Sequence, residues 1–246
     1  MADLAFAKIP LLLTSIWFVR VCGKSPQPTP KECEERKFSG LEVRGFRAII
    51  RWVPPLLVLP SIILTFVAEA FQIMLSQNQA HYFPRTVTER LSSTLGSNSG
   101  RGIGLPASFM VGWFLLAAGA CIRATCYHHL GRFFTFELAL RENHQLVTTG
   151  PYAVVRHPAY TGSILAIVGM GFMQLGPGSW CADVARLWST PTGVVLGCAW
   201  LGILSIIPFG IVARTAAEDQ VLHKEFGQQW EAWAQKTQYR LVPGIF

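Results

Sequence analysis

The sequence predicts an all-α, polytopic integral membrane protein with about five transmembrane helices and a cytosolic carboxyl-terminal amphipathic helix. Two observations predict this class. Of 246 residues, 51% are hydrophobic and only 14% charged, and the mean hydropathy is positive, which is more apolar surface than one water-soluble core of this length takes up. The apolar residues are also gathered into runs near 2–21, 52–75, 103–126, 159–175 and 192–212, each close to the ~20 residues that cross ~30 Å of hydrocarbon as a helix. A single membrane domain over 1–246 is expected, with the chemistry-bearing residues in its 130–246 half.

In the first run Lys8 precedes the apolar residues as in a signal peptide, but Arg20, Cys22 and Lys24 follow where a small-residue cleavage pattern would stand. An uncleaved first helix is therefore expected, and membrane helices tolerate its Pro10. The stretches GKSPQPTPKECEERK and SSTLGSNSGRG read as loops. Glu69 and Gln72, near the far end of the second run, are expected to snorkel to water in a structural role. His128 and His129 close the third run as interfacial residues rather than metal ligands. Gly162, Ala166 and Gly169, and likewise Gly193 and Gly197, are spaced for close helix packing. After the fifth run Leu222, Phe226, Trp230 and Trp233 recur at helical spacing, which predicts an amphipathic helix at the membrane interface with its tryptophans at headgroup depth.

Lys and Arg number 21 against 14 Asp and Glu, a net charge of +7. With the amino terminus away from the cytosol, Lys24, Lys31, Arg36, Lys37, Arg44, Arg47, Arg51, Arg132, Arg141, Arg156, Arg214, Lys224, Lys236 and Arg240 fall on the cytosolic side. Only Lys8, Arg85, Arg90, Arg101 and Arg186 fall opposite, an asymmetry that satisfies the positive-inside rule. The charge thus points to topology and anionic membrane lipid rather than nucleic acid, for which no motif is present. The six cysteines make no C-x-x-C pair, so no disulfide framework or metal site is expected.

The densest polar feature is GPYAVVRHPAYTG, Gly150 to Gly162. Pro158 suits the first turn of a helix, where its missing N–H is no loss. The start of that helix, with Arg156 and His157 just before it, suits an anion at the membrane surface; anchoring to lipid phosphate is the competing role. Gly150 and Pro151 form a tight turn whose backbone can approach a ligand closely. Downstream, Arg214 and Glu218 lie one helical turn apart on one face.

The run LVTTGPYAVVRHPAYTG, followed by an apolar span and then by R...ED..L...FG..W..W......RLVPGIF, resembles the isoprenylcysteine carboxyl methyltransferase family, which shares this arrangement with membrane phospholipid methyltransferases. The resemblance covers about Leu130 to Phe246. It implies a multi-pass enzyme of the endoplasmic reticulum membrane, its active site facing the cytosol. Such an enzyme transfers a methyl group from S-adenosylmethionine to the carboxylate of a prenylated C-terminal cysteine, on proteins or small prenylcysteines. It also implies a cofactor pocket, which maps here onto His144, Leu146, Val147, Gly150, Tyr152, Arg156, His157, Pro158, Tyr160 and Glu218. Where the family has two consecutive glutamates this chain has Glu218 and Asp219; Glu218, in the first position, is taken as the functional member.

These residue types suit that chemistry. The donor's carboxylate wants a cationic site, here Arg156 and the helix start, and its cationic part an acidic group, here Glu218. An acceptor carboxylate is ionised near neutral pH and needs no general base. Arg214 either holds that carboxylate or snorkels to lipid phosphate. Three alternatives stand beside this one. A phospholipid amine methyltransferase would need a base, with His157 or Glu218 in that role. A sterol reductase would need more spans, and the last is a catalytically silent lipid- or partner-binding protein. No oligomeric state is signalled.

Overall fold

A computed structural model describes residues 2–35, 49, 51–76 and 104–246. Among them the regular structure is entirely helical. The long helices are α1 (Ala2–Gly23), α2 (Leu59–Ser76), α3 (Ala107–Leu130), α4 (Pro158–Leu175), α5 (Pro191–Phe226) and the short α6 (Gln228–Lys236). Among the described residues five segments are long and apolar enough to cross a membrane: Ala5–Gly23, Arg51–Leu75, Ala107–Phe133, Pro158–Val184 and Pro191–Phe226. The all-α, multi-pass class is thus the observed one. The expected loop SSTLGSNSGRG, the residues Arg36, Lys37, Arg44, Arg47, Arg85, Arg90 and Arg101, and the expected start of the third span at 103 lie outside the described residues.

Helix boundaries follow from breakers more than from hydropathy. α3 starts just after Pro106, whose carbonyl accepts from Met110 N–H, and it runs through the polar Tyr127, His128 and His129 until Gly131 turns with φ +50°. It therefore ends four residues later than the apolar run. A π-type turn, Pro54–Val58, precedes α2 and absorbs the Pro54–Pro55 pair. The expected amphipathic helix after the fifth span is divided. Leu222 and Phe226 belong to α5, a single helix of 36 residues, and Trp230 and Trp233 belong to α6, because Gly227 adopts a left-handed φ of +50° between them.

The described residues form two compact units, each drawn from three chain segments: Met1–Val19, Leu59–Ala117 and Ile167–Leu204 in one, Arg20–Val58, Ala118–Ala166 and Ser205–Phe246 in the other. The first unit is organised by a buried ion pair. Lys8 is fully buried and pairs with Glu69; its ammonium also donates to the Gly178 carbonyl at 2.8 Å and lies 4.3 Å from the Phe109 ring centre. The other Glu69 oxygen accepts the Trp180 N–H at 3.0 Å. Glu69 therefore does not snorkel as expected: with a cation and a backbone donor available inside, the carboxylate is satisfied without water. Nearby, Gln174 donates to Thr65 at 2.7 Å and accepts from Trp200 at 3.0 Å.

Glycines set the closest helix approach. In the first unit a β-carbon on Gly169 would lie 2.5 Å from the Gly112 carbonyl oxygen, and one on Gly112 2.7 Å from that of Gly169. In the second, Gly162 and Gly119 stand in the same relation, at 2.8 Å and 2.5 Å. The expected packing role of Gly162 and Gly169 is thus realised between α3 and α4. Gly197 differs, since it packs against the Trp188 ring just upstream in sequence, 2.9 Å from its would-be β-carbon, rather than against another span.

This geometry generates a paired test on α4. Gly169→Val meets backbone and is expected to lower stability by about 1–3 kcal/mol through overpacking. Gly171→Val, with nothing within 4 Å of its β-carbon, should stay within about 0.5 kcal/mol of the parent. Thermal unfolding in detergent measures both, and equal shifts would show that the α3–α4 approach does not depend on these glycines.

Candidate functional site

The polar element ahead of α4 lies in the second unit, and backbone bonds hold it before any side chain acts. Gly150 to Ala153 form one 3₁₀ turn. Gly150 has φ +62°, and the His129 ring occupies the place where its β-carbon would stand, so the close approach this glycine permits is to His129. The Arg156 and His157 N–H groups donate to the carbonyls of Tyr239 and Arg240 at 2.9 and 2.8 Å. The Tyr160 and Thr161 N–H groups take the His157 carbonyl. Of the donors read from sequence as an anion site, the two just before the helix are engaged by the carboxyl-terminal segment and those of Tyr160 and Thr161 by the His157 carbonyl.

That segment is tied down further. Thr161 donates to the Leu241 carbonyl at 2.7 Å, and the buried Trp233 donates its indole N–H to the Tyr152 carbonyl at 2.9 Å. Trp233 packs with Cys126, Phe134, Tyr152 and Ala159, with Leu146, Val147 and Trp230 around them. The expectation of interfacial tryptophans therefore gives way for Trp233, because the turn at Gly227 directs α6 onto this apolar cluster. Burial pushes the Tyr152 phenol well above its ordinary range.

Side-chain chemistry gathers around two consecutive carboxylates of α5. Asp219 is buried. One of its oxygens lies 3.0 Å from His157 Nε2; the other lies 3.0 Å from Arg240 Nε and 3.6 Å from an Arg156 amino group. Glu218 keeps 28% of its side chain exposed; it accepts the Tyr160 hydroxyl at 2.7 Å and lies 3.6 Å from His157 Nδ1. The His157 and Tyr160 rings stack at 13°, centres 5.5 Å apart. Burial, reinforced by Arg240 and opposed by Asp219, lowers the Arg156 pKa from its ordinary value.

Arg214, one turn before Glu218, is buried; it donates to the Phe136 carbonyl at 3.0 Å and sits 5.9 Å from the Tyr160 ring centre. Snorkelling is thereby replaced by an inward hydrogen bond. His144 lies against Phe133 and Phe226, with centres at 4.7 and 6.0 Å. Of the residues expected at the site, Tyr160, Glu218, His157 and Arg214 are joined by direct contacts, Arg156 joins them through Asp219, Pro158 begins α4 between them, and Leu146, Val147 and Tyr152 form the apolar flank. Gly150 lies instead against the His129 ring. Sequence reasoning missed Arg240 and Trp230; Arg240 stands in the RLVPGIF tail and Trp230 in the W..W spacing, so the signal was present without a role attached.

No group of three or more His, Cys, Asp and Glu suited to a metal ion occurs among the described residues.

The isoprenylcysteine carboxyl methyltransferase (ICMT) family model matches residues 110–189, from α3 through α4. Over these residues the chain is similar to that family. Protein-S-isoprenylcysteine O-methyltransferase B of Arabidopsis thaliana is 28% identical over 128 residues, 51% of this chain and 55% of that protein. A probable protein-S-isoprenylcysteine O-methyltransferase of Oryza sativa subsp. indica is 29% identical over 129 residues, 52% of this chain and 57% of that protein. A Delta(14)-sterol reductase of Mus musculus is 24% identical over 102 residues, 42% of this chain and 20% of that protein. The chain spans about half the length of the curated methyltransferase relatives it matches. The match to the ICMT family includes the R-H-P-x-Y element at 156–160 but not the carboxylates of α5.

The two carboxylates should separate in a stability measurement. Asp219→Ala leaves Arg240, Arg156 and His157 around a vacated buried charge and is expected to cost about 3–5 kcal/mol. Glu218→Gln, at a partly exposed position, should cost under about 1 kcal/mol. Equal losses on thermal unfolding would show that both carboxylates hold the fold.

Proposed function

We propose that the protein is a membrane methyltransferase that moves a methyl group from S-adenosylmethionine to the carboxylate of a prenylated C-terminal cysteine. We further infer that it works at the cytosolic face of the endoplasmic reticulum membrane. The observation that carries this is Glu218, a carboxylate left partly exposed and oriented by Tyr160, next to an Asp219 already engaged by Arg156, His157 and Arg240. The names of the methyltransferase relatives supply the reaction class.

The residues present fit the donor. Its ammonium and sulfonium suit Glu218. For its carboxylate, Arg156 Nε and Trp230 Nε1 are buried donors with no acceptor among the described residues, the guanidinium lying 5.7 Å from the Trp230 ring centre. A buried unmet donor costs ~1–3 kcal/mol, so an arriving acceptor is favoured there. Held by these residues, S-adenosylmethionine would supply a methyl group activated by its sulfonium for transfer to the acceptor's carboxylate oxygen, with the thioether as the leaving group. No proton moves, so neither His157 nor Glu218 is needed as a base. What the chain supplies is placement of the acceptor oxygen and exclusion of water from it, and alignment is worth up to ~7–11 kcal/mol.

The expected outcome is methyl transfer from labelled S-adenosylmethionine to a farnesylated cysteine by the purified protein in lipid, and none to phosphatidylethanolamine. Glu218→Gln should weaken donor affinity about tenfold or more in calorimetry, the loss of one charge-assisted contact. Transfer to the lipid amine instead would overturn the carboxylate assignment. The orientation has its own test: tags in the 23–46 segment and after Phe246 should both be reached by a cytosolic label, and labelling of only one would overturn the assignment of faces.

A further inference from the structure

We propose that Arg123 is the group that receives the acceptor's carboxylate, through its Nη2 amino group. The proposal rests on the reading above that the acceptor is a prenylated cysteine, and it moves the carboxylate-binding role from Arg214 to a residue that carries no sequence motif.

Arg123 lies within α3, seven residues before its end, a rise of ~10 Å along the helix. It is 5% exposed. Its Nε donates to the Tyr127 hydroxyl at 2.8 Å, and that hydroxyl donates in turn to the Val21 carbonyl at 2.9 Å. Its Nη1 donates to the Ala159 carbonyl at 3.2 Å and to the Ser163 hydroxyl. Three of the five guanidinium N–H groups are thereby used. The two on Nη2 have no partner among the described residues, and no carboxylate among those residues lies within ion-pair distance.

A guanidinium does not deprotonate in proteins, so this charge stays inside the helices. Three rings soften its burial: the centres of Phe136, Tyr127 and Phe134 lie 4.9, 5.2 and 5.7 Å from its central carbon. Cation–π contact compensates for lost hydration in part. Rings supply no acceptor for an N–H group, however, and the free N–H groups of one guanidinium nitrogen suit an oxygen of a carboxylate or phosphate. An anion that reaches a guanidinium within a membrane helix needs an apolar carrier, and a prenyl chain is one.

The position relative to Glu218 favours the acceptor over any other anion. The Phe136 ring that lies against Arg123 belongs to the residue whose carbonyl accepts from Arg214. Arg214 lies against Tyr160, and Tyr160 donates to Glu218. Arg123 also touches α4 at Ala159, the residue before Tyr160. The chain of contacts therefore runs from the candidate acceptor group, Arg123, to the candidate donor group, Glu218, through Phe136, Arg214 and Tyr160.

The test uses Arg123→Gln and Arg123→Lys in the full chain, reconstituted in phosphatidylcholine. N-acetyl-farnesylcysteine serves as acceptor and its uncharged carboxamide as inhibitor. Removing the charge should raise the KM for the acceptor about 10–150-fold, the range for a lost charge-assisted hydrogen bond, and the lysine variant should recover part of it. Donor affinity by calorimetry and carboxamide inhibition should be alike in parent and variants. If Arg123 only holds α3 to α4, donor affinity, carboxamide inhibition and KM will deteriorate together, which overturns the proposal. An unchanged KM in an active Arg123→Gln protein overturns it while leaving the proposed reaction intact. A parent that methylates no prenylcysteine defeats the reaction itself and the proposal with it. Stabilisation of parent but not Arg123→Gln by phosphatidylglycerol vesicles, with KM unchanged, would assign the site to a lipid phosphate instead.

Discussion

The buried carboxylate of Asp219 is the contact on which the candidate site depends. It receives Arg240 from the carboxyl-terminal segment, His157 from the turn before α4, and Arg156 beside it. Two chain segments distant in sequence are thereby brought to one point on α5. A charge buried this deeply is favourable only while its partners stay in place, so the arrangement is all-or-none: losing one partner leaves the others unbalanced. The backbone reinforces it, since the two N–H groups ahead of α4 are bonded to the same carboxyl-terminal segment. Glu218, by contrast, can keep a free surface because Asp219 does the holding. In the family pattern both positions are glutamate; here the shorter side chain stands at the buried position, and its length suits the close contacts with His157 and Arg240.

Much of this was legible in the sequence, and the reason is the length scale of each signal. Five apolar runs of helix-spanning length reported the five long helices, because hydrophobic composition averages over many residues. The start of α4 at Pro158 was legible because proline acts locally through its missing N–H. Arg156 and His157 stood out as charges just before that helix start, whereas Tyr160 and the role of Glu218 came from the family resemblance. What was not legible depends on contacts between distant segments. Arg240 has no local feature that tells a salt bridge to Asp219 from a solvated charge. The tryptophans of the last segment have the periodicity of an interfacial helix, and only the φ of Gly227 shows that α6 turns onto the Tyr152 cluster. Residue type alone left open what Asp219 does in place of the second family glutamate; its burial among His157, Arg240 and Arg156 gives it a holding role.

Charges inside the apolar helices were misjudged for a related reason. From sequence Lys8 reads as a flank of the first run and Glu69 as a residue near the end of the second. Each judgement treats the helix as alone in the membrane, where a charge must reach water. Once helices pack, an ammonium 170 residues from Gly178 can take its carbonyl and a glutamate as well, and the pair satisfies itself. The same logic separates Arg123 from these two. Lys8 and Glu69 cancel each other, whereas Arg123 has hydroxyls, a carbonyl and rings but no counter-charge among the described residues. An ionisable group inside a membrane helix is a candidate functional group on energetic grounds, and cancellation decides which of them remain so.

The proposed reaction gives that imbalance a chemical sense. A carboxylate and a sulfonium become an ester and a thioether, so opposite charges disappear along the reaction coordinate. Water stabilises the separated charges more than the products and thus opposes the step; a site with little water favours it. A guanidinium that gripped both carboxylate oxygens would oppose it too, by stabilising the nucleophile's charge. Arg123 has only one free amino group, the others being held by Tyr127, Ala159 and Ser163. Such a group can engage one carboxylate oxygen and leave the second to attack. Glu218 faces the corresponding constraint on the donor's side, where its orientation by Tyr160 favours contact with the cationic part without a second carboxylate adding to the attraction, because Asp219 is already turned inward to its own cations. Modest attraction at each end, rather than tight binding of either charge, is what a charge-annihilating transfer requires of its residues.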